Sequence, residues 1–228
     1  SAYGVLAQNS TTQSTAKNTA TVRLKADTIV VNTTAGSEEA CGLVAMSQGR
    51  IYVDGNLEVN ATKAIVARGD AIVSINEDGA HYTKLNGDID FNYDKATSGT
   101  KADATVKVNL NGADSYWLGN ATTSWGTGTP PRGIRYDTIR GLTLNMSNGA
   151  QWTPTAVVPE ANETTGLQPV PINNMKLDGG VVNITGSDID VSVQNLTGTG
   201  GTIKLATDLE AENKTGKFTV GTAAEQSK

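Results

Sequence analysis

Nine stretches of this chain alternate apolar and polar residues with period two, and each closes on a turn signal. They are 20–32, 49–62, 64–79, 86–94, 103–112, 141–149, 174–198, 201–209 and 216–221. Alternation of that period puts one face of a strand in the core and the other in water. The punctuating pairs are Asp54-Gly55, Asn86-Gly87, Asn111-Gly112, Asn148-Gly149 and Asp178-Gly179, residues that tolerate a left-handed backbone. Strong helix formers never gather into an amphipathic run, so a helical bundle is excluded. Thr is abundant and suits half-buried strands, while Asn and Gly suit the bends between them. The reading is all-β.

Two architectures accommodate many short strands. A β-sandwich needs about seven strands in ~100 residues around one core. A parallel β-helix stacks rungs of ~20–25 residues, each touching only its neighbours, and this length would supply about nine or ten of them. Periodicity alone leaves both open. Aromatics at 5% are few for a sandwich core. The inward residues are Val, Ile, Leu and Ala, which stack into ladders, and runs such as VVNITGSDIDVSV lack hairpin spacing. These features favour a solenoid.

The chain opens at Ser1 with no basic or apolar leader and ends on GTAAEQSK without a terminating pattern. Both ends read as cut from something longer. Residues 1–20 are polar and weakly patterned, which predicts an N-terminal cap or disordered lead, with residues 21–228 as the β-rich segment. No apolar stretch approaches ~18 residues, so no membrane insertion is expected. A net charge of −5 without a Lys/Arg cluster argues against nucleic acid.

Catalytic and metal chemistries find little support. No GDSG or G-x-S-x-G surrounds a serine, and the only histidine, His81, sits beside a predicted turn, so a serine protease is not expected. Asp88-x-Asp90 and Asp188-x-Asp190 each place two carboxylates on one strand face, about 6.5–7 Å apart by strand rise, a spacing compatible with sugar chemistry. Without a third acid or a nearby Arg, the plainer reading is the wet face of an alternating strand. Calcium nonapeptides are missing, and a single Cys41 excludes a disulfide framework or a cysteine-rich zinc site. Cys41 lies among small apolar residues and reads as a buried hydrophobe. The expectation is no enzyme, no cofactor and no metal. Nine N-x-S/T sequons occur, at Asn9, Asn32, Asn60, Asn120, Asn145, Asn162, Asn183, Asn195 and Asn213. The simplest account of them is that Asn and Thr both populate rungs and turns.

An ordered series of segments resembles the passenger domains of pertactin-like autotransporters. The segments are KAIVARGDAIVSINEDG (63–79), KLNGDIDFNYD (84–94), VKVNLNGADSYWLGNAT (106–122), LTLNMSNGAQWTP (142–154), MKLDGGVVNITGSDIDVSVQNLTGTGGTIKLATDLE (175–210) and GKFTVG (216–221). The resemblance implies a right-handed parallel β-helix, exported and displayed at the surface of a Gram-negative bacterium. It also implies that Trp117 and Trp152 cover an edge of the helix. The barrel that anchors such passengers has no counterpart here.

Thr123–Asp137 and Pro154–Pro171 are too rich in Pro and Gly for tight corners and read as projecting loops. The first carries Trp125, Arg132, Arg135 and Tyr136, an aromatic and guanidinium set that is the candidate ligand contact. The expected role is an adhesin that attaches to a host glycan or matrix protein, or to a like molecule in cell–cell aggregation and biofilm. The alternatives are a structural spacer of a larger autotransporter and a carbohydrate-active β-helix using the Asp pairs.

Overall fold

The computed structural model describes residues 1–9, 19–35, 39–93, 104–125, 141–157, 168–208 and 215–225. Among them every regular element is a strand. In chain order these are β1 (Ala2–Gln8), β2 (Thr21–Asn32), β3 (Ala40–Met46), β4 (Arg50–Arg68), β5 (Ile72–Ile75), β6 (Thr83–Tyr93), β7 (Thr105–Asn111) and β8 (Tyr116–Leu118). They continue as β9 (Ala121–Trp125), β10 (Leu142–Ser147), β11 (Gln151–Thr153), β12 (Gln168–Pro169), β13 (Ile172–Ile184), β14 (Asp190–Leu205) and β15 (Lys217–Glu225).

Among the described residues, pairing is parallel except for β9–β12 and a bridge between Thr207 and Thr215. Three ladders result. The first runs from the start of β2 through the start of β4 to β5, β7, β10, the start of β13, then β14 and β15. The second joins the end of β2 and the middle of β4 to the start of β6, β8, β11 and the end of β13. The third stacks β1, β3, the last residues of β4, the end of β6, and β9. Because β4 takes part in all three ladders and β13 in two, the pairing closes into a ring of eight strands, β4–β5–β7–β10–β13–β11–β8–β6.

Register explains why the period-two pattern works. Val53, Ile75, Val108, Leu144 and Met175 occupy successive positions of one column, and all are buried. Val59, Leu85, Trp117, Trp152 and Val182 form a second. Leu43, Ile65, Ile89 and Ala121 form a third. Each inward residue covers the one on the neighbouring strand, so apolar area leaves water strand by strand along each column.

The predicted punctuators fall at corners between ladders, and further corners lie at Gly69, Asn76 and Gly119, which were not among them. Asn76 is 1% exposed with φ 51°; its amide donates to Gly55 O and Thr83 Oγ1, and its Oδ1 accepts from Gly55 N–H. One side chain thus satisfies the polar groups of two stacked bends. Gly87 has φ 132°, and a Cβ there would press into backbone atoms of Ala61 and Ala64. Gly87→Ala is expected to cost about 1–3 kcal/mol, because neither the dihedral nor the backbone neighbour can give cheaply. A urea midpoint unchanged from wild type would contradict that account.

Several expectations need correction. Residues 1–20 include a paired strand, β1, whose Ala7 and Leu6 lie against Ala45 and Val44 of β3 in the ladder. β3 (ACGLVAM) shows no alternation because it is buried along its whole length. The proposed loop Thr123–Asp137 starts too early: Thr123, Ser124 and Trp125 belong to β9, whose β-branched, hydroxyl-rich sequence suits a strand with polar neighbours. The proposed loop Pro154–Pro171 includes strand residues Gln168–Pro169 paired with Thr123 and Thr122. Trp117 and Trp152 do not cover an edge; both are 0% exposed.

Candidate functional site

The least ordinary chemistry sits where the third ladder turns its outer face inward to cover. Inner residues Ile65 and Ile89 alternate with outer residues Val66 and Asp90, as period two demands. Yet Val44, Val66, Asp90 and Thr122, aligned on that outer side, are all buried. Asp90, expected on a wet face, is 0% exposed and pairs with Lys63, itself 6% exposed. Outward direction and solvent exposure have separated here, which is why alternation misread this carboxylate.

Three groups converge on that pair. Lys63 Nζ donates to Asp90 Oδ2 at 2.8 Å and to Ser124 Oγ at 3.1 Å, and lies 2.8 Å from Glu39 Oε1. Ser124 Oγ donates to Asp90 Oδ2 at 2.6 Å, and Thr122 Oγ1 donates to Asp90 Oδ1 at 2.9 Å. Burial pulls the Lys63 pKa down, but the Asp90 and Glu39 carboxylates more than offset it, and the net direction is upward. Asp88, two residues along, has its carboxyl pushed up by burial, against a hydrogen bond from the Asn120 N–H that favours the charged form. Lys63, Glu39 and Ser124 carried no motif in the sequence. The one available signal was a lysine at the head of the apolar run AIVA.

Cys41 behaves as the sequence suggests, buried at 3% beside Val44, Met46 and Val66. Its thiol is pushed up to about 11 by burial first and by the Glu39 charge second. An acid whose folded pKa exceeds its unfolded value of 9.0 stays protonated in the native state while the unfolded chain ionises. Stability from this group is therefore intact below pH 9.0 and falls as pH rises toward about 11. Thiol labelling at pH 8 is expected to be slow until denaturant unfolds the chain; rapid labelling of folded protein would refute the burial.

The other predicted residues disperse. Asp188 and Asp190 are both exposed, but they do not share a strand face: Asp188 lies in the turn before β14 and only Asp190 belongs to the strand. His81 lies 3.4 Å from Asp54 with 31% side-chain exposure. Trp125 ends β9 opposite Tyr93 in the ladder. Arg132, Arg135 and Tyr136 fall outside the described residues. No group of three or more His, Cys, Asp or Glu suited to a metal occurs among the described residues.

The sequon asparagines mostly serve the stack. Asn60 donates to Asn32, Asn145 to Asn109, and Asn195 to Asn174, while Asn120 is 4% exposed and donates to Thr155 O. Asn109 in turn donates to Asn76 O. This ladder borders a hollow of about 160 Å³ on the outer face, rimmed by Glu77, Asn109, Asn145, Lys176 and Asp178. Compared with protein-family models, curated proteins and solved structures, the chain gave no match.

Proposed function

We propose that the chain is a right-handed parallel β-helix serving as the passenger segment of an autotransporter-like surface adhesin. It would be exported, displayed at the outer membrane of a Gram-negative bacterium, and non-enzymatic. The observation that carries this reading is the stacking itself: parallel ladders in which each strand pairs with the next rung, aliphatic columns inside and an asparagine-rich face outside. A rod of that kind holds its surface in one geometry without ordering cost at the moment of contact. Its mixed amide and charged rim at Asn109, Asn145, Lys176 and Asp178 suits a polar ligand, either a host glycan, a matrix protein or the same face of a like molecule. The set Trp125, Arg132, Arg135 and Tyr136 is the second candidate contact.

The carbohydrate-enzyme alternative is weakened at Asp90, whose oxygens are taken by Lys63, Ser124 and Thr122 inside the protein. The spacer alternative is distinguished by binding. Beads carrying the purified chain are tested against host cells, matrix proteins and a glycan panel, with bead-to-bead clumping scored alongside. Loss of binding in Lys176→Glu places contact on the rod face. Loss in Arg132→Ala with Arg135→Ala and Tyr136→Ala places it on the segment after β9. Absence of both binding and clumping in the wild type overturns the adhesin reading in favour of a spacer.

A further inference from the structure

We propose that Lys63 and Asp90 become joined after folding by an amide bond between Lys63 Nζ and Asp90 Cγ, with Glu39 as the proton carrier. The inference rests on geometry and burial. A primary amine lies 2.8 Å from one oxygen of a carboxyl group, both residues are excluded from solvent, and a second carboxylate sits 2.8 Å from the same nitrogen. The donor atoms come from three neighbouring strands of one ladder, β4, β6 and β9, so folding alone brings them together.

The chemistry balances without a co-reactant. One proton passes from the Lys63 ammonium to Asp90 Oδ2, leaving a neutral amine beside a neutral acid. Nζ then attacks Cγ, and Glu39 accepts a proton from the nitrogen as the C–N bond forms. Glu39 returns that proton to the Oδ2 hydroxyl, the Cγ–Oδ2 bond breaks, and water departs. Glu39 ends as it began. Thr122 donates to Oδ1, the oxygen that carries negative charge in the tetrahedral intermediate and remains as the amide carbonyl. Ser124 donates to Oδ2, the oxygen that leaves.

Two physical terms favour a condensation that bulk water opposes. The reacting groups are held at contact distance, which replaces a bimolecular encounter by a local step. Burial also penalises two full charges, and the amide carries none. An exposed Lys–Asp pair such as Lys25–Asp54, at 81% and 46% side-chain exposure, has neither advantage and serves as an internal control.

The test is intact-mass spectrometry of the folded full chain with peptide mapping. The expected result is a protein one water lighter than its sequence, with a branched tryptic peptide joining Ile51–Arg68 to Leu85–Lys95. Glu39 is 42% exposed, so Glu39→Gln should fold normally by circular dichroism while remaining at full mass. Folded wild type in which Lys63 and Asp90 appear only in unlinked peptides overturns the proposal. So does a water loss that maps to Asp54-Gly55 or Asp178-Gly179, where succinimide formation removes the same mass. Linkage in Glu39→Gln as complete as in wild type overturns the role given to Glu39.

Discussion

Replacing Trp117 by alanine is expected to destabilise the chain by about 3–5 kcal/mol, among the largest effects of any single substitution. The ring is fully buried and stacks on Trp152 with centroids 5.0 Å apart and planes 7° from parallel. Each indole also donates to a corner carbonyl, Trp117 to Gly87 O and Trp152 to Gly119 O. Truncation therefore opens a cavity between Leu85 and Trp152 in the column and strips a buried carbonyl of its donor. Trp117→Phe keeps most of the apolar area and loses the N–H, so its cost should be smaller, about 1–3 kcal/mol. Urea unfolding followed by circular dichroism measures both. A Trp117→Ala midpoint close to wild type would show that the column repacks and that the stack is not a structural anchor. The double alanine variant should cost less than the sum of the singles, because the stacking contact is lost only once.

Lys63→Ala is the second large effect, about 3–5 kcal/mol, because it leaves Asp90 buried with only hydroxyl partners. Asp90→Ala should cost less, since Lys63 keeps Glu39 at 2.8 Å and Ser124 at 3.1 Å. That asymmetry distinguishes a lysine serving two carboxylates from a simple pair. Lys63→Met with Asp90→Leu, which removes both charges, should recover much of the loss. Equal costs for the two alanine variants would argue against the converging arrangement. As an ion pair the stabilisation has a defined alkaline limit. The folded Lys63 pKa lies above 10.5, so its contribution is full below 10.5 and is lost as pH rises through the folded value. An amide between the same residues would add a closed loop to the cost of Lys63→Ala and remove this titration.

The sequence by itself determined the class of structure. Period-two alternation with Asn/Asp-Gly punctuation admits strands and bends and little else, and the described residues contain no helix. It also placed most inner columns, since Val53, Ile75, Val108 and Leu144 are the apolar members of their alternations. Asp190 is exposed on its strand as it was read to be, whereas Asp188 falls in the preceding turn. Cys41 was legible for the same reason, lying among residues with nothing polar to offer.

Only the tertiary structure decided the rest. Local pattern reports which side of a strand a residue points to, whereas exposure depends on what is packed over that side. Asp90 points outward as expected and is nonetheless buried, so its partners, Lys63, Thr122 and Ser124, and the Glu39 that shares Lys63, could not be read from spacing. Lys63 is 27 positions from Asp90 and 61 from Ser124, with Glu39 on its other side in sequence, so no fixed offset announces them. β3 was silent because burial on both faces erases alternation. Trp117 and Trp152 were visible as two tryptophans, but their meeting required the register of β8 against β11. Stacked parallel strands bring together residues far apart in the chain, and which ones meet is set by the lengths of the bends, a quantity the alternation does not encode.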